Sequence, residues 1–114
     1  MFKYIIAIIR PYKLDEIKEA LMESGFVKGM SVSEIRGFGR QRGHKERYRG
    51  SEYVVDFVEK IKLEIAVEEE YLDKVIEIIR ETAKTGDVGD GKIFVLPMEN
   101  VVRIRTAEEG REAL

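Results

Sequence analysis

The segment from Phe2 to Ile9 restricts the fold most strongly, because nearly every position after Lys3 is apolar. Such a run is typical of a strand that is covered on both faces of its sheet. It is far too short to span a bilayer, and it lacks the apolar length and cleavage site of a signal peptide. The fold must therefore cover both sides of the sheet that contains this strand.

Two helices are predicted by apolar residues that recur at helical spacing. The first begins at Leu14 and ends at Gly25, a residue type that commonly terminates helices. The second runs from Tyr71 to Ala83, with acidic residues before it at the positive end of the helix dipole, and Gly86 is expected to close it.

Three further strands are predicted between and after the helices. Met30–Ile35 alternates weakly, Ile61–Val67 alternates clearly between apolar and polar residues, and Lys92–Pro97 is apolar and rich in β-formers. We also predict a short extended piece at Val101–Arg105 and a loose charged tail from Ala107.

The order strand, helix, strand, long loop, strand, helix, strand predicts an α+β fold, a single βαββαβ ferredoxin-like domain over residues 1–114. Two helices cover only one face of a four-stranded sheet. Because the first strand is apolar on both faces, we expect the bare face to meet other subunits. The pattern alone does not set the number of subunits.

Composition excludes several classes of protein. The chain has no cysteine, so it has neither disulfides nor a thiolate metal site, and a reducing cytoplasm is its simplest location. Its net charge is −2, so a nucleic acid would have to be held by a local basic patch. The only histidine, His44, lies in a polar loop, and no nucleophile with a fixed base is apparent, which argues against an enzyme.

That basic patch lies in the loop from Gly37 to Tyr53, which is long for a compact domain. It carries four glycines and five basic residues: Arg40, Arg42, Lys45, Arg47 and Arg49. Fixing backbone costs on the order of 1–2 kcal/mol per residue, so we expect a small ligand to order only the base, at 37–41, and a protein partner to order the tip. The alternative is a solvated charged hairpin.

The segment Gly86–Lys92 matches the G-x-x-x-x-G-K half of a P-loop. Ile93 stands where a P-loop has its Mg²⁺-binding hydroxyl, and the lysine leads into a strand, so a P-loop hydrolase is disfavoured. The segment is either a phosphate-binding loop or a plain turn, because Asp87 and Asp90 would repel an anion unless they point away from it.

Two stretches resemble signatures of the PII family of signalling proteins: Tyr48-Arg-Gly-Ser-Glu-Tyr53 and Thr85-Gly-Asp-Val-Gly-Asp-Gly-Lys-Ile-Phe-Val95. The resemblance extends over nearly the whole chain. It implies the same ferredoxin-like fold, assembled as a homotrimer with nucleotide sites in the clefts between neighbouring subunits. On this reading residues 37–55 are a mobile signalling loop, 86–92 a phosphate loop and 106–114 a C-terminal tail.

The resemblance implies a site for ATP or ADP. It assigns phosphate binding to Gly89, Gly91 and Lys92 of the glycine-rich loop. Arg103 and Arg105 would add cations from the adjacent subunit, and Arg40 would add one from the base of the long loop. Ser31 and Glu64 would lie near the adenine. Ser31 stands where threonine is more usual but keeps the hydroxyl group.

The resemblance also implies a site for 2-oxoglutarate, present only with Mg-ATP. Gln41 would ligate Mg²⁺ and Lys60 would pair with the distal carboxylate. Tyr53 matches the family's uridylylated or adenylylated tyrosine, and Ser51 matches a serine that is phosphorylated in some members.

The expected function is therefore signalling of nitrogen, carbon and energy status in the cytoplasm, with at most slow incidental ATP hydrolysis. Implied partners are ammonium channels, nitrogen-assimilation enzymes and a nucleotidylyltransferase, with no nucleic acid and with the membrane reached only through a protein partner. The alternatives are a nucleic-acid-binding module that uses the basic loop and a ferredoxin-like trimer of the divalent-cation-tolerance type.

Overall fold

A computed structural model of the chain describes residues 1–39, 45–48, 52–55 and 57–114, with only the backbone described at 45–48 and 52–55. Strands are β1 (Phe2–Ile9), β2 (Ser31–Gly37), β3 (Lys45–Tyr48), β4 (Glu52–Val55), β5 (Val58–Glu68) and β6 (Gly91–Met98), and helices are α1 (Leu14–Ser24) and α2 (Leu72–Ala83).

The main sheet has four antiparallel strands in the order β2-β5-β1-β6. With both helices on one face, this is the βαββαβ ferredoxin-like topology, and the fold prediction is confirmed. The strand that is apolar throughout, β1, occupies a central position between β5 and β6, as its two apolar faces require.

The core lies between the sheet and the helices. Alternate residues of β1 and β5 point toward the helices and are almost fully buried, among them Ile5, Leu63 and Ile65. Ile17 of α1 and Ile79 of α2 close the core from the other side. The periodicities of the two helices and of β5 predicted this packing correctly.

Both helices end close to the predicted positions. Gly25 caps α1 in the left-handed conformation, at φ 77°. The second helix, α2, ends at Ala83, and Lys84 is already extended, so the helix stops before Gly86. The reason is local: the backbone amides of Thr85 and Gly86 donate to the Asp90 carboxylate instead of continuing the helix.

Two features differ from the predictions. Within the range 37–55, expected above to be a mobile loop, lies a separate two-stranded antiparallel pair, β3 with β4, as in the hairpin alternative. The predicted extended piece at Val101–Arg105 is wrong: only Val102 forms a bridge, to Glu109, and the chain then turns, with the Ala107 amide donating to the Arg103 carbonyl at 2.8 Å.

The tail also folds back instead of remaining loose. It ends in a short 3₁₀ turn at Gly110–Ala113. The Arg111 guanidinium lies 2.6 Å from a carboxylate oxygen of Glu68, at the end of β5. Backbone contacts also hold the tail: Val102 bridges Glu109, and the Gly110 amide donates to the Val101 carbonyl at 3.0 Å. The Arg111 side chain is exposed, so its ion pair adds little to these contacts.

Among the described residues, no helix or strand covers the sheet face opposite the helices. It displays a mixed surface in which Phe94 and Leu96 of β6 keep 48% and 43% of their accessible surface. We call this surface the open face.

The part of the chain that the structure describes contains no helix long and apolar enough to cross a membrane.

Candidate functional site

A cleft of about 590 Å³ opens at one end of the open face. The ends of four strands meet there: β1 and β2 finish at this end, and β5 and β6 begin at it. Its lining combines the base of the long loop, the glycine-rich segment and two lysines: Ile8, Gly37, Phe38, Gly39, Val58, Lys60, Val88, Gly89, Gly91, Lys92 and Phe94. The volume is in the range of small-ligand sites.

Three of the predicted phosphate-binding residues, Gly89, Gly91 and Lys92, come together in this cleft. Gly89 and Gly91 have φ of 108° and 109°, values that favour glycine. At Gly91 a Cβ atom would lie 1.7 Å from the carbonyl oxygen of Ile8, so no side chain fits between β6 and β1 there. Glycine thus lets the backbone approach both a neighbouring strand and any ligand in the cleft.

Lys60 reaches the same cleft from β5 and keeps only 9% of its accessible surface. Its ammonium donates a hydrogen bond of 2.5 Å to the carbonyl oxygen of Gly89. Burial, and next the nearby Arg10 guanidinium, lower the pKa of the Lys60 ammonium, whereas Asp90 acts in the opposite direction. A buried cation beside a second lysine, Lys92, is a favourable setting for an anionic ligand.

Asp90 is turned away from the cleft into the glycine-rich segment. One carboxylate oxygen accepts from the backbone amides of Thr85 and Gly86 at 2.8 and 2.9 Å. The other accepts from the Thr85 hydroxyl and from Arg10 Nε, the latter at 3.1 Å. These hydrogen bonds, those from Thr85 first, hold the pKa of the Asp90 carboxyl well below its usual range. The Asp90 carboxylate therefore does not point at an anion in the cleft, and the repulsion expected from this residue is relieved.

Ser31 and Glu64 lie side by side as a register pair of β2 and β5. Glu64 lies four positions from Lys60 along β5, roughly 13 Å of strand. The Tyr4 hydroxyl donates to Glu64 at 2.8 Å. This hydrogen bond, followed by burial and the Glu64 charge, raises the pKa of the tyrosine. Within one chain these residues are next to the cleft but do not line it.

Arg103 and Arg105 follow the other end of β6, and neither lines the cleft of its own chain. The guanidinium of Arg103 lies 2.8 Å from a Glu108 carboxylate oxygen. If these arginines bind phosphate, they must do so in a neighbouring subunit.

Several predicted residues lie outside the described part of the chain. Arg40, Gln41 and Ser51 fall between the described ranges, and Tyr53 is described only as part of the backbone of β4. Among the described residues no group of three or more histidine, cysteine or carboxylate side chains could hold a metal ion.

Sequence reasoning from the residues missed Arg10, which donates both to Asp90 and, at 3.0 Å, to the carbonyl oxygen of Val88. It also missed Tyr4. The only signal for Arg10 was its place, where the apolar run of β1 ends and the chain turns at Pro11. Once β1 and β6 are paired, that place is next to the glycine-rich segment.

Comparison with known proteins identifies the family of the chain. The family model described as "Nitrogen regulatory protein P-II" matches residues 2–108. The chain belongs to this P-II family. It is 58% identical to the nitrogen regulatory protein P-II of Azospirillum brasilense and 59% identical to that of Microchaete diplosiphon, in both cases over 98% of this chain and 99% of the relative.

Among solved structures, the P-II protein of Arabidopsis thaliana bound to citrate superposes with a TM-score of 0.81. The two are 40% identical, and the match covers 99% of this chain and 92% of the plant chain. Members of the P-II family are regulatory proteins of nitrogen metabolism, so the chain is a nitrogen regulatory protein by family. The family match also decides against the cation-tolerance type of ferredoxin-like protein.

Proposed function

We propose that the protein is a cytoplasmic sensor of nitrogen, carbon and energy status that binds ATP or ADP and, with Mg-ATP, 2-oxoglutarate. The observation that carries this proposal is the cleft in which Lys60, Lys92 and the glycine-rich backbone converge while the Asp90 carboxylate points elsewhere. Two cations and nearby backbone donors are what an anion such as a polyphosphate or a dicarboxylate needs.

The active form is a homotrimer on this proposal. The open face leaves Phe94 and Leu96 half exposed, and contact between copies would bury them. A neighbouring copy would also bring Arg103 and Arg105 to the phosphates, which they do not reach in their own chain. Ser31 and Glu64 would then lie against the adenine of a nucleotide held between two subunits, and Arg40 would add a cation from the base of the long loop.

The metabolite site uses Lys60 for the distal carboxylate and Gln41 for Mg²⁺. Mg²⁺ prefers oxygen ligands, so the amide oxygen of Gln41 would help to hold it, and the ion would supply positive charge for binding the anionic ligands. The lysine is buried and close to the glycine-rich segment, which fits this role. The plant relative with citrate bound supports a site for a small polycarboxylate in this family.

The output is a change in the loop from Gly37 to Tyr53, which begins at the cleft. Because Gly37, Phe38 and Gly39 line the cleft, a ligand there acts on the first residues of the loop. Targets would be an ammonium channel, nitrogen-assimilation enzymes or a nucleotidylyltransferase acting on Tyr53 or on Ser51. The loop would act as a regulatory element. The protein would not act as an enzyme, apart from slow incidental ATP hydrolysis.

The test is a calorimetric titration of 2-oxoglutarate into the purified protein with Mg-ATP, with Mg-ADP and with neither. Binding only with Mg-ATP supports the sensor. No 2-oxoglutarate binding in any condition, with ATP still bound, would reduce the function to an adenylate sensor. A chain that binds no nucleotide would contradict the proposal.

Three variants test which residues bind the phosphates and the metal and whether Tyr53 contributes to binding either ligand. Lys92→Ala should abolish nucleotide binding, Gln41→Ala should keep ATP but lose 2-oxoglutarate, and Tyr53→Phe should keep both. An unchanged ATP titration in Lys92→Ala would remove the phosphate assignment, and retained 2-oxoglutarate binding in Gln41→Ala would remove the metal assignment.

A further inference from the structure

The hydrogen bonds of Asp90 reach both ends of the glycine-rich segment. Its carboxylate binds the amides of Thr85 and Gly86, at the start of the segment, from a position just before β6. Arg10 binds the same carboxylate and also the carbonyl oxygen of Val88, in the middle. The start, middle and end of the segment are thus tied to a single side-chain pair, and the arginine comes from the end of β1.

This arrangement has a consequence for charge. The Arg10 side chain is 15% exposed and that of Asp90 is 25% exposed, so the pair is partly shielded from water. Asp90 uses its lone pairs on donors of the chain itself, so its negative charge is compensated before any ligand arrives. Asp87, three residues earlier, has no hydrogen bond or ion pair through its carboxylate among the described residues and is exposed.

We propose that Asp90, held by Arg10, is a positioning residue for phosphate binding, which fixes the glycine-rich segment in the shape that receives the anion. This inference rests on the proposed function. Preformed backbone donors avoid the cost of ordering the segment when the ligand binds. An acidic residue therefore favours the binding of an anion, although its charge alone would oppose it.

The two aspartates make a matched experiment, because Asp90→Asn and Asp87→Asn remove the same charge from the same segment. Coulomb repulsion alone predicts that both variants bind ATP more tightly. A positioning role for Asp90 predicts instead that the two variants differ in their affinity for ATP. Asp90→Asn loses charge-assisted hydrogen bonds and should weaken Mg-ATP binding by at least about tenfold, whereas Asp87→Asn should bind equally well or more tightly.

Two further readouts separate positioning from general damage. The affinity for AMP should fall less than that for ATP in Asp90→Asn, because AMP lacks the distal phosphates. Amide hydrogen exchange should accelerate at Thr85 and Gly86, because asparagine offers one uncharged oxygen where the carboxylate offers two to these amides, the Thr85 hydroxyl and Arg10. Exchange should stay unchanged in the core strand β5. If Asp90→Asn does not fold, Thr85→Val removes one partner of the carboxylate and is compared in the same way.

Tighter ATP binding in both asparagine variants would overturn the inference, as would an equal loss of ATP and AMP affinity in Asp90→Asn. Failure of the proposed function looks different, because it appears in the unaltered protein as an absence of ATP binding. The comparison of variants therefore tests Asp90, and the unaltered chain tests the nucleotide site.

Discussion

The two faces of the four-stranded sheet are built from the same strands but have different chemistry. In β5, Leu63 and Ile65 point to the helices and are fully buried, whereas the alternate residues Lys60, Lys62 and Glu64 point to the open face. The first face is apolar and buried at its centre, and Val32 and Val95, on the two edge strands, stay about half exposed. The second mixes lysines, a tyrosine–glutamate hydrogen bond and half-exposed apolar residues.

This difference indicates a division of tasks. The helix-covered face supplies the apolar burial that folds the chain, at about 25 cal/mol per Å² of buried area. The open face contributes less to folding the single chain, and it carries the cleft and the residues that a second copy would cover. Changes on the first face should therefore act on stability at every protein concentration, and changes on the second should act on association or binding.

The largest effect is expected at the first residue of β6, where the backbone has no room for a side chain. Gly91→Ala places a methyl group against the Ile8 carbonyl and forces alanine to a φ of 109°. We expect a loss of more than about 4 kcal/mol in the free energy of unfolding, the range of exceptional substitutions. Denaturant titration measures it.

Gly86→Ala is the control for that substitution. Its φ of 98° is equally unfavourable for alanine, but no atom lies within 4 Å of the new methyl group. Backbone strain alone should cost about 1–2 kcal/mol. Equal losses of unfolding free energy in the two variants would show that the contact between the new methyl group and the Ile8 carbonyl of β1 is not what destabilises Gly91→Ala.

The next effect tests the helix-covered face. Ile65→Ala removes a fully buried side chain from the core and should lower the free energy of unfolding by about 2–5 kcal/mol. Lys62→Ala, on the open face of the same strand, should cost less than about 1 kcal/mol. If both variants lose the same free energy of unfolding in denaturant titrations at one protein concentration, the two faces contribute equally to folding. The proposed difference between the faces would then be wrong.

The helix-covered face could be predicted from the sequence because its signals are local. Apolar spacing in α1 and α2 and alternation in β5 each fix a periodic element, and a βαββαβ order leaves few topologies. The second pair of strands, β3 with β4, was anticipated only as the hairpin alternative for the long loop, because its sequence shows no apolar alternation that would specify strands.

The cleft was predictable only in part. The glycine-rich segment carries a motif in its own sequence, so Gly89, Gly91 and Lys92 could be found. The contact between Arg10 and Asp90 joins residues that are 80 positions apart and has no local pattern. The prediction of an extended piece at Val101–Arg105 failed for a different, local reason: Arg103 pairs with Glu108 in a turn, and the apolar–basic alternation is too short to specify a strand.

A smaller effect is expected for association across the open face. Leu96→Glu introduces a charge where a neighbouring copy would bury a leucine, and it should weaken assembly at least about tenfold, or about 1.4 kcal/mol. Sedimentation over a range of concentrations measures it. Met22→Glu, on the exposed side of α1, should leave the mass unchanged. A monomer in the unaltered protein would show that the open face has another role.

The smallest effect concerns the hydrogen bond between Tyr4 and Glu64 on the open face. Tyr4→Phe removes a partly buried hydrogen bond and should cost about 1 kcal/mol near neutral pH, while Tyr12→Phe, at an exposed tyrosine, should cost nothing measurable. Because the folded chain raises the pKa of Tyr4, its stabilising effect is complete below pH ~10 and is lost as the pH rises through the folded value. Stability measured from pH 8 to 11 should therefore fall less steeply in Tyr4→Phe than in the unaltered protein. Parallel curves would mean that the glutamate does not hold the tyrosine, and that this part of the open face is simply solvated.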